Sequence, residues 1–131
     1  MRIKKIITIS IVFVLLLMGT GLAPNAALAQ SDNLALNKPA TASSIEGAGF
    51  EASKAVDGSL TTRWASVDPA TTAQWIYVDL GAPTAISRVV LKWEVAYASA
   101  YQVQVSNDAS AWTTIFSTTT GNGATDDLTG L

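Results

Sequence analysis

Acidic and hydroxyl oxygens are where this chain could do chemistry. Its 131 residues include ten Asp and Glu, eight Lys and Arg, and no His or Cys. Without Cys there is no disulfide framework, zinc ribbon or thiol nucleophile, and without His no Ser-His-Asp triad and few transition-metal sites. Three loops concentrate the oxygen donors. Lys54 to Thr62 (KAVDGSLTT) sets Asp57 beside a turn glycine and small hydroxyl residues. Such a loop supplies about four of the six to eight oxygens that a hard cation such as Ca²⁺ takes, or else is an Asp-Gly turn whose carboxylate caps local N–H groups. Lys92 to Ala98 (KWEVAYA) leaves a strand for a loop. There Glu94 could accept from vicinal hydroxyls or an ammonium and Tyr97 could stack or donate. Equally, Trp93 is core, Glu94 pairs with Arg88 or Lys92, and Tyr97 is plain surface. The Gly-rich stretch 43–51 offers Glu46, with Phe50 turned inward.

Aromatic residues add stacking surfaces, because C–H groups of a sugar ring pack on an indole face. Trp64, after Arg63 at a loop edge, reads as half-buried packing with its N–H bonded, contact with such a ring being the alternative; Trp75 reads as core or sheet packing. Asp68-Pro69 reads as a solvated turn. A glycosidase needs two carboxyls about 5 Å, or about 6.5–9.5 Å, apart across a cleft. No spacing here singles out such a pair, so catalysis is not expected.

The elements that must position these residues are strands. Apolar alternation dominates, and turn residues interrupt it about every ten residues, the pattern of a β-sandwich or barrel. Residues 74–80 (QWIYVDL) put Ile76, Val78 and Leu80 on one face and Trp75, Tyr77 and Asp79 on the other. Residues 34–43, 86–94, 101–106 and 112–116 read as further strands, with a hairpin connection at 107–110. Residues 52–56 fit one helical turn, ended by Asp57-Gly58. Residues 117–126 read as a polar loop, with no strand after it.

Residues 1–29 read as a secretory signal peptide, in which a helix is expected. Arg2, Lys4 and Lys5 precede the apolar run Ile6–Met18, and Ala27-Leu28-Ala29 offers a cleavage site before Gln30. Thirteen residues at about 1.5 Å each reach about 20 Å, short of a hydrocarbon core of about 30 Å, so no membrane attachment is expected after cleavage. The domain is then 30–131, with basic residues Lys38, Lys54, Arg63, Arg88 and Lys92 against ten acids, a net charge of −5. Five scattered cations without a cluster argue against nucleic acid.

Several segments in order resemble one family. They are Asn33 to Pro39 (NLALNKP), Lys54 to Gly58 (KAVDG), Thr62-Arg63-Trp64, Gln74 to Gly81 (QWIYVDLG), and Tyr101 to Trp112 (YQVQVSNDASAW). Together they resemble the coagulation factor 5/8 type C, or discoidin, domains, which include the bacterial family 32 carbohydrate-binding modules. The resemblance implies an all-β jelly-roll sandwich that binds ligands through loops at one end, here glycans. It also implies structural calcium held by backbone oxygens of Lys54 and Ser59, the Asp57 carboxylate and an oxygen of Thr62. Family members continue past Thr129-Gly130-Leu131 with two strands, one carrying further calcium ligands, so the resemblance implies that this domain is truncated. The expected protein is a secreted, monomeric, non-catalytic carbohydrate-binding module, the N-terminal part of a larger polysaccharide-degrading or cell-surface protein. Ligand contacts are expected at Glu46, Trp64, Glu94 and Tyr97. A cell-surface adhesion or protein-interaction domain is the alternative.

Overall fold

The computed structural model describes residues 33–67 and 72–131, and the backbone of residues 4–5 and 7–8. Apart from one 3₁₀ turn, Ala52–Ala55, every regular element described is a strand, as the alternation predicts. In chain order the strands are β1 Lys4–Lys5, β2 Ile7–Thr8, β3 Ala40–Ala42, β4 Trp64–Ala65, β5 Ile76–Val78, β6 Arg88–Lys92, β7 Tyr101–Val105, β8 Thr113–Thr118 and β9 Thr125–Thr129. Residues 4–5 and 7–8 are extended, so the helix expected in the leader does not include them.

All pairings are antiparallel. β3 pairs with β5 (Ala40↔Val78, Ala42↔Ile76), and β6 pairs with β9 along its whole length (Arg88↔Thr129 to Lys92↔Thr125). β7 pairs with β8, with a bulge after Val103. The leader segment lies against two strands: Lys4↔Ala65 and Lys5↔Trp64 on β4, Ile7↔Leu91 and Thr8↔Val90 on β6. β4 and β6 belong to separate sheets, one of two strands and one of three.

The core around Trp64 is made of small residues. Ala35, Ala52, Ala55 and Val56 surround the fully buried indole, and Ala40, Ala42, Ile76 and Val78 pack against the cluster. Alanines at 52 and 55 let the 3₁₀ turn lie close to the ring. The turn stops where Val56 leaves helical geometry (φ −131°, ψ 14°) and Gly58 takes φ +79°, a left-handed conformation that suits glycine. Ile76 and Val78 face this cluster, as the period of two predicts. Trp75, expected in the core or packed on the sheet, takes the second place: it is half exposed at 50% on the opposite face, stacked beside Tyr77 at 5.8 Å.

Residues 125–129, expected to carry no strand, form β9. Two aspartates hold it through opposite faces. Asp127 takes a bidentate bond from Arg88, Nε and Nη2 each 2.7 Å from a carboxylate oxygen. Asp126 Oδ2 accepts from Trp93 Nε1 at 2.6 Å and from the Tyr101 hydroxyl at 2.8 Å. The Trp93 and Tyr101 rings pack at 5.2 Å, and Tyr101 meets Phe116 at 5.8 Å.

Two outcomes test this packing. Trp64→Ala removes a buried indole and leaves a cavity, so it lowers unfolding free energy by about 3–5 kcal/mol, read as a fall in the denaturant midpoint. Burial first, and then the bond to Asp126, hold the Tyr101 phenol above its ordinary value of 10.0. Its share of stability is complete below that value and is lost as the pH rises through the folded-state value, because the unfolded tyrosine ionises first. A denaturation series carried above pH 10.0 therefore shows an alkaline loss in the wild type that is smaller in Tyr101→Phe.

Candidate functional site

Two loop clusters carry the candidate residues. The first joins residues 43–50 to residues 63–67. Trp64 Nε1 donates to the Ser44 carbonyl at 2.9 Å, and the Glu46 N–H donates to the Ala65 carbonyl at 2.7 Å. The Ser44 hydroxyl accepts from the Val67 N–H at 3.2 Å and donates to Gln74 Oε1; Ser43 donates to the same oxygen at 2.8 Å and accepts from the Trp75 N–H at 3.0 Å. Arg63 lays its guanidinium over the Phe50 ring, 4.8 Å from the centroid, a cation–π contact that fixes the arginine stem.

Within this cluster, Glu46 Oε2 and Arg63 Nε are buried and have no hydrogen-bond partner. A buried acceptor and a buried donor left unsatisfied cost roughly 1–3 kcal/mol each. An acceptor and a donor left in this state on neighbouring segments are what a polar ligand would satisfy. Glu46 was read from the sequence as a candidate. Arg63 stands in the sequence only within the Thr62-Arg63-Trp64 motif, and the one signal it offers is a cation directly before a core tryptophan.

The second cluster is the β6–β7 connection, residues 93–100, packed on residues 119–124. Glu94 is half-buried, and one of its oxygens accepts from the Ala96 N–H at 3.1 Å. Tyr97 is half-buried against Gly123, which has φ +79°; a Cβ there would meet the ring at 2.7 Å, so glycine is required. The Trp93 N–H donates to Ala124 O at 2.7 Å, and the Gly121 N–H to Ser99 O at 2.8 Å. Val95 is 90% exposed at the tip.

The expected ligand residues thus divide. Glu46 lies in the first cluster, and Glu94 and Tyr97 in the second. Trp64 must be corrected: with no exposed surface and its N–H donated to Ser44, its indole offers no face for stacking. Asp68 lies outside the described residues. Glu94 pairs with neither Arg88, whose partner is Asp127, nor, within 4 Å, Lys92.

In the Lys54–Thr62 loop, Asp57 Oδ1 accepts from the Ser59 N–H at 2.9 Å, and the Thr62 hydroxyl lies 2.8 Å from both carboxylate oxygens. Lys54 Nζ stands 4.0 Å from Asp57 Oδ2. The loop therefore contains the Asp-Gly turn that is the simpler reading of the sequence. It also gathers oxygen donors of the kind a hard cation takes, with one carboxylate among them. Among the described residues no three of His, Cys, Asp and Glu come together.

A broad open hollow of about 2080 Å³ lies beside β5, β7 and β8, with Val89, Leu91 and Trp93 on one wall. Asp79 and Asp108 line it, and both serve their own turns. Asp79 accepts from the Gly81 N–H at 2.8 Å. Asp108 accepts from the Ala111 and Ser110 N–H groups at 2.8 Å, which hold its carboxyl below the usual range.

Known proteins are similar to this chain in sequence and fold. The family model described as a NedA-like, galactose-binding domain of F5/F8 type C matches residues 54–130. Chitosan-binding module 2 of a chitosanase/glucanase from Paenibacillus sp. IK-5, solved in complex with chitotriose, is 58% identical. The match covers 76% of this chain and 78% of that one, with a TM-score of 0.71. Module 1 of the same enzyme is 63% identical, covering 76% of each chain, with a TM-score of 0.69. The polysaccharide lyase 8 family protein HylA of Enterococcus faecalis is 37% identical over 92% of this chain, which spans 9% of that protein's length. The chain belongs to the F5/F8 type C family, in its NedA-like, galactose-binding form.

Proposed function

We propose that this domain is a secreted, non-catalytic carbohydrate-binding module that recognises amino-sugar polysaccharides of the chitosan kind and is carried by a larger polysaccharide-degrading protein. The observation that carries the reading is the unsatisfied pair, Glu46 Oε2 and Arg63 Nε, in the first loop cluster. The likeness to chitosan-binding modules at 58–63% identity supports the ligand class. Glu46 and Glu94 accept from protonated amines and hydroxyls, the stronger charge-assisted kind of bond. Arg63 Nε donates to a sugar oxygen, and Tyr97 supplies apolar ring surface. The net charge of −5 over residues 30–131 attracts a cationic polymer.

Export by cleavage before Gln30 is part of the same reading, and among the described residues no helix is long and apolar enough to cross a membrane. The domain acts as a monomer. An open loop site buries little area, so single-site affinity is weak and a multi-module parent gains by avidity.

Titration with chitotriose tests the reading. Glu46→Gln and Glu94→Gln each weaken binding by about tenfold, and raising salt weakens the wild type. Glu46→Gln does not lower the melting temperature, because Glu46 Oε2 makes no hydrogen bond in the free domain for the change to break. Unchanged affinity in both variants overturns the assignment of these residues.

Calcium in the Lys54–Thr62 loop completes the proposal. The Asp57 carboxylate, the Thr62 oxygen and the backbone oxygens of Lys54 and Ser59 would hold it, and the ion would brace the turn electrostatically. Millimolar Ca²⁺ then raises the melting temperature, chelator reverses the rise, and Asp57→Asn abolishes it. A melting temperature indifferent to Ca²⁺ removes the ion from the account.

A further inference from the structure

The Glu94–Tyr97 loop has a neck, and one carboxylate oxygen closes it. β6 ends at Lys92 and β7 begins at Tyr101, so Trp93 and Tyr101 flank the connection on either side. Both donate to Asp126 Oδ2, at 2.6 and 2.8 Å, and their rings pack at 5.2 Å. Asp126 reaches them from β9, where its Cα is paired with that of Leu91. The backbone reinforces the closure: the Trp93 N–H is bonded to Ala124 O, and Gly121, bonded to Ser99, packs so closely that a Cβ would stand 3.0 Å from Ala98 O and 3.2 Å from the Tyr101 ring.

We propose that Asp126 is a positioning residue for ligand capture: by holding Trp93 and Tyr101 together it fixes the loop that presents Glu94 and Tyr97. This rests on the proposal that the loop contacts an amino-sugar chain. Asp126 itself touches no ligand. Glu94 directly follows Trp93, so the direction in which its carboxylate leaves the sheet is set by the Trp93 backbone and ring. Tyr97 is seated on Gly123, three residues before Asp126, so the same strand supplies both the clamp and the seat. Two donors on one oxygen hold the two chain ends in one geometry, and that saves the entropy of ordering the loop when ligand arrives.

The test uses the full chain and two readouts. In the first, chitotriose titration, Asp126→Ala binds about tenfold more weakly than wild type. Asp126→Asn retains most of the affinity, because its amide oxygen can still accept both donors. The decisive arm is a double-mutant cycle: in a Glu94→Ala background, Asp126→Ala costs less affinity than it does in the wild type, the remainder acting through Tyr97. If Asp126→Ala does not fold, Tyr101→Phe takes its place. It deletes one donor and keeps the ring, and its loss of about threefold likewise shrinks in the Glu94→Ala background. Wild-type affinity in Asp126→Ala or Tyr101→Phe, or a loss that adds in full to that of Glu94→Ala, overturns the proposal.

The second readout needs no ligand. Amide hydrogen exchange in Asp126→Asn and Tyr101→Phe, compared with wild type, follows Trp93, Ala96 and Gly121 in the clamp region and the β3–β5 amides far from it. Tyr101→Phe speeds exchange at the first set and not at the second, while Asp126→Asn leaves both near wild type. Equal acceleration everywhere, or none at the loop, overturns the clamp. If the wild type ignores chitotriose while the loop amides respond as described, the ligand reading fails and the clamp stands.

Discussion

The hydrogen bond from Trp64 Nε1 to the Ser44 carbonyl is the constraint on which the site depends. An indole that buries its whole surface must place its one donor, and only an acceptor inside the cluster can receive it. Ser44 supplies that acceptor from a loop twenty residues away, so the strand that carries Trp64 and the loop that carries Glu46 are registered by one bond. The Glu46 N–H to Ala65 O and Val67 N–H to Ser44 Oγ contacts then follow along the same seam. Ala35, Ala52 and Ala55 have a matching part: they leave room for the indole, and a larger residue at any of them would push it away from Ser44.

Order enforced so close to Glu46 and Arg63 gives their unsatisfied atoms meaning. A loose loop would let a buried carboxylate oxygen turn to water. This one is held at its own N–H and at its neighbours, and Arg63 is held over Phe50, so the penalty stays in the free domain. Unspent hydrogen-bonding capacity, buried and fixed, favours a partner that arrives with complementary donors and acceptors already spaced. It also opposes folding, and the apolar packing around Trp64 offsets it. The Ser43 and Ser44 hydroxyls, both pointed at Gln74 Oε1, show the contrasting arrangement two residues away, where every named polar group is engaged within the chain.

Much of this was legible in the residues. The period of two in QWIYVDL gave β5 and its two faces, and ASKAV with Asp-Gly after it gave the short turn and its end. The alternation could not say which face would be covered. Trp75 and Trp64 look alike as letters, yet one is half exposed and the other sealed, because the residues that make a cage for an indole come from four separate segments. Arg63 was passed over for the same reason: an unsatisfied Nε is a property of its surroundings. Glu94 and Tyr97 were placed in the right kind of segment because a strand running into a loop is a local feature. What holds that loop, an aspartate more than thirty residues from Trp93, is not local.

β9 shows most clearly why the remainder was hidden. TDDLT has two aspartates in five residues, a composition depleted in strands, and the stretch before it reads as loop. It becomes a strand because its neighbours present donors on both faces: Arg88 for Asp127, and Trp93 with Tyr101 for Asp126. Successive side chains on a strand point to opposite faces, so adjacent aspartates can meet two different partner sets only when the strand is extended and in one register. A slip by one residue would turn Asp126 toward the place of Asp127 and leave the indole and phenol without their acceptor. Partial burial makes that costlier on the Trp93–Tyr101 side than on the exposed Arg88 side, where water replaces the lost bond more readily. Register is therefore fixed mainly by the half-buried clamp, and the exposed ion pair follows it.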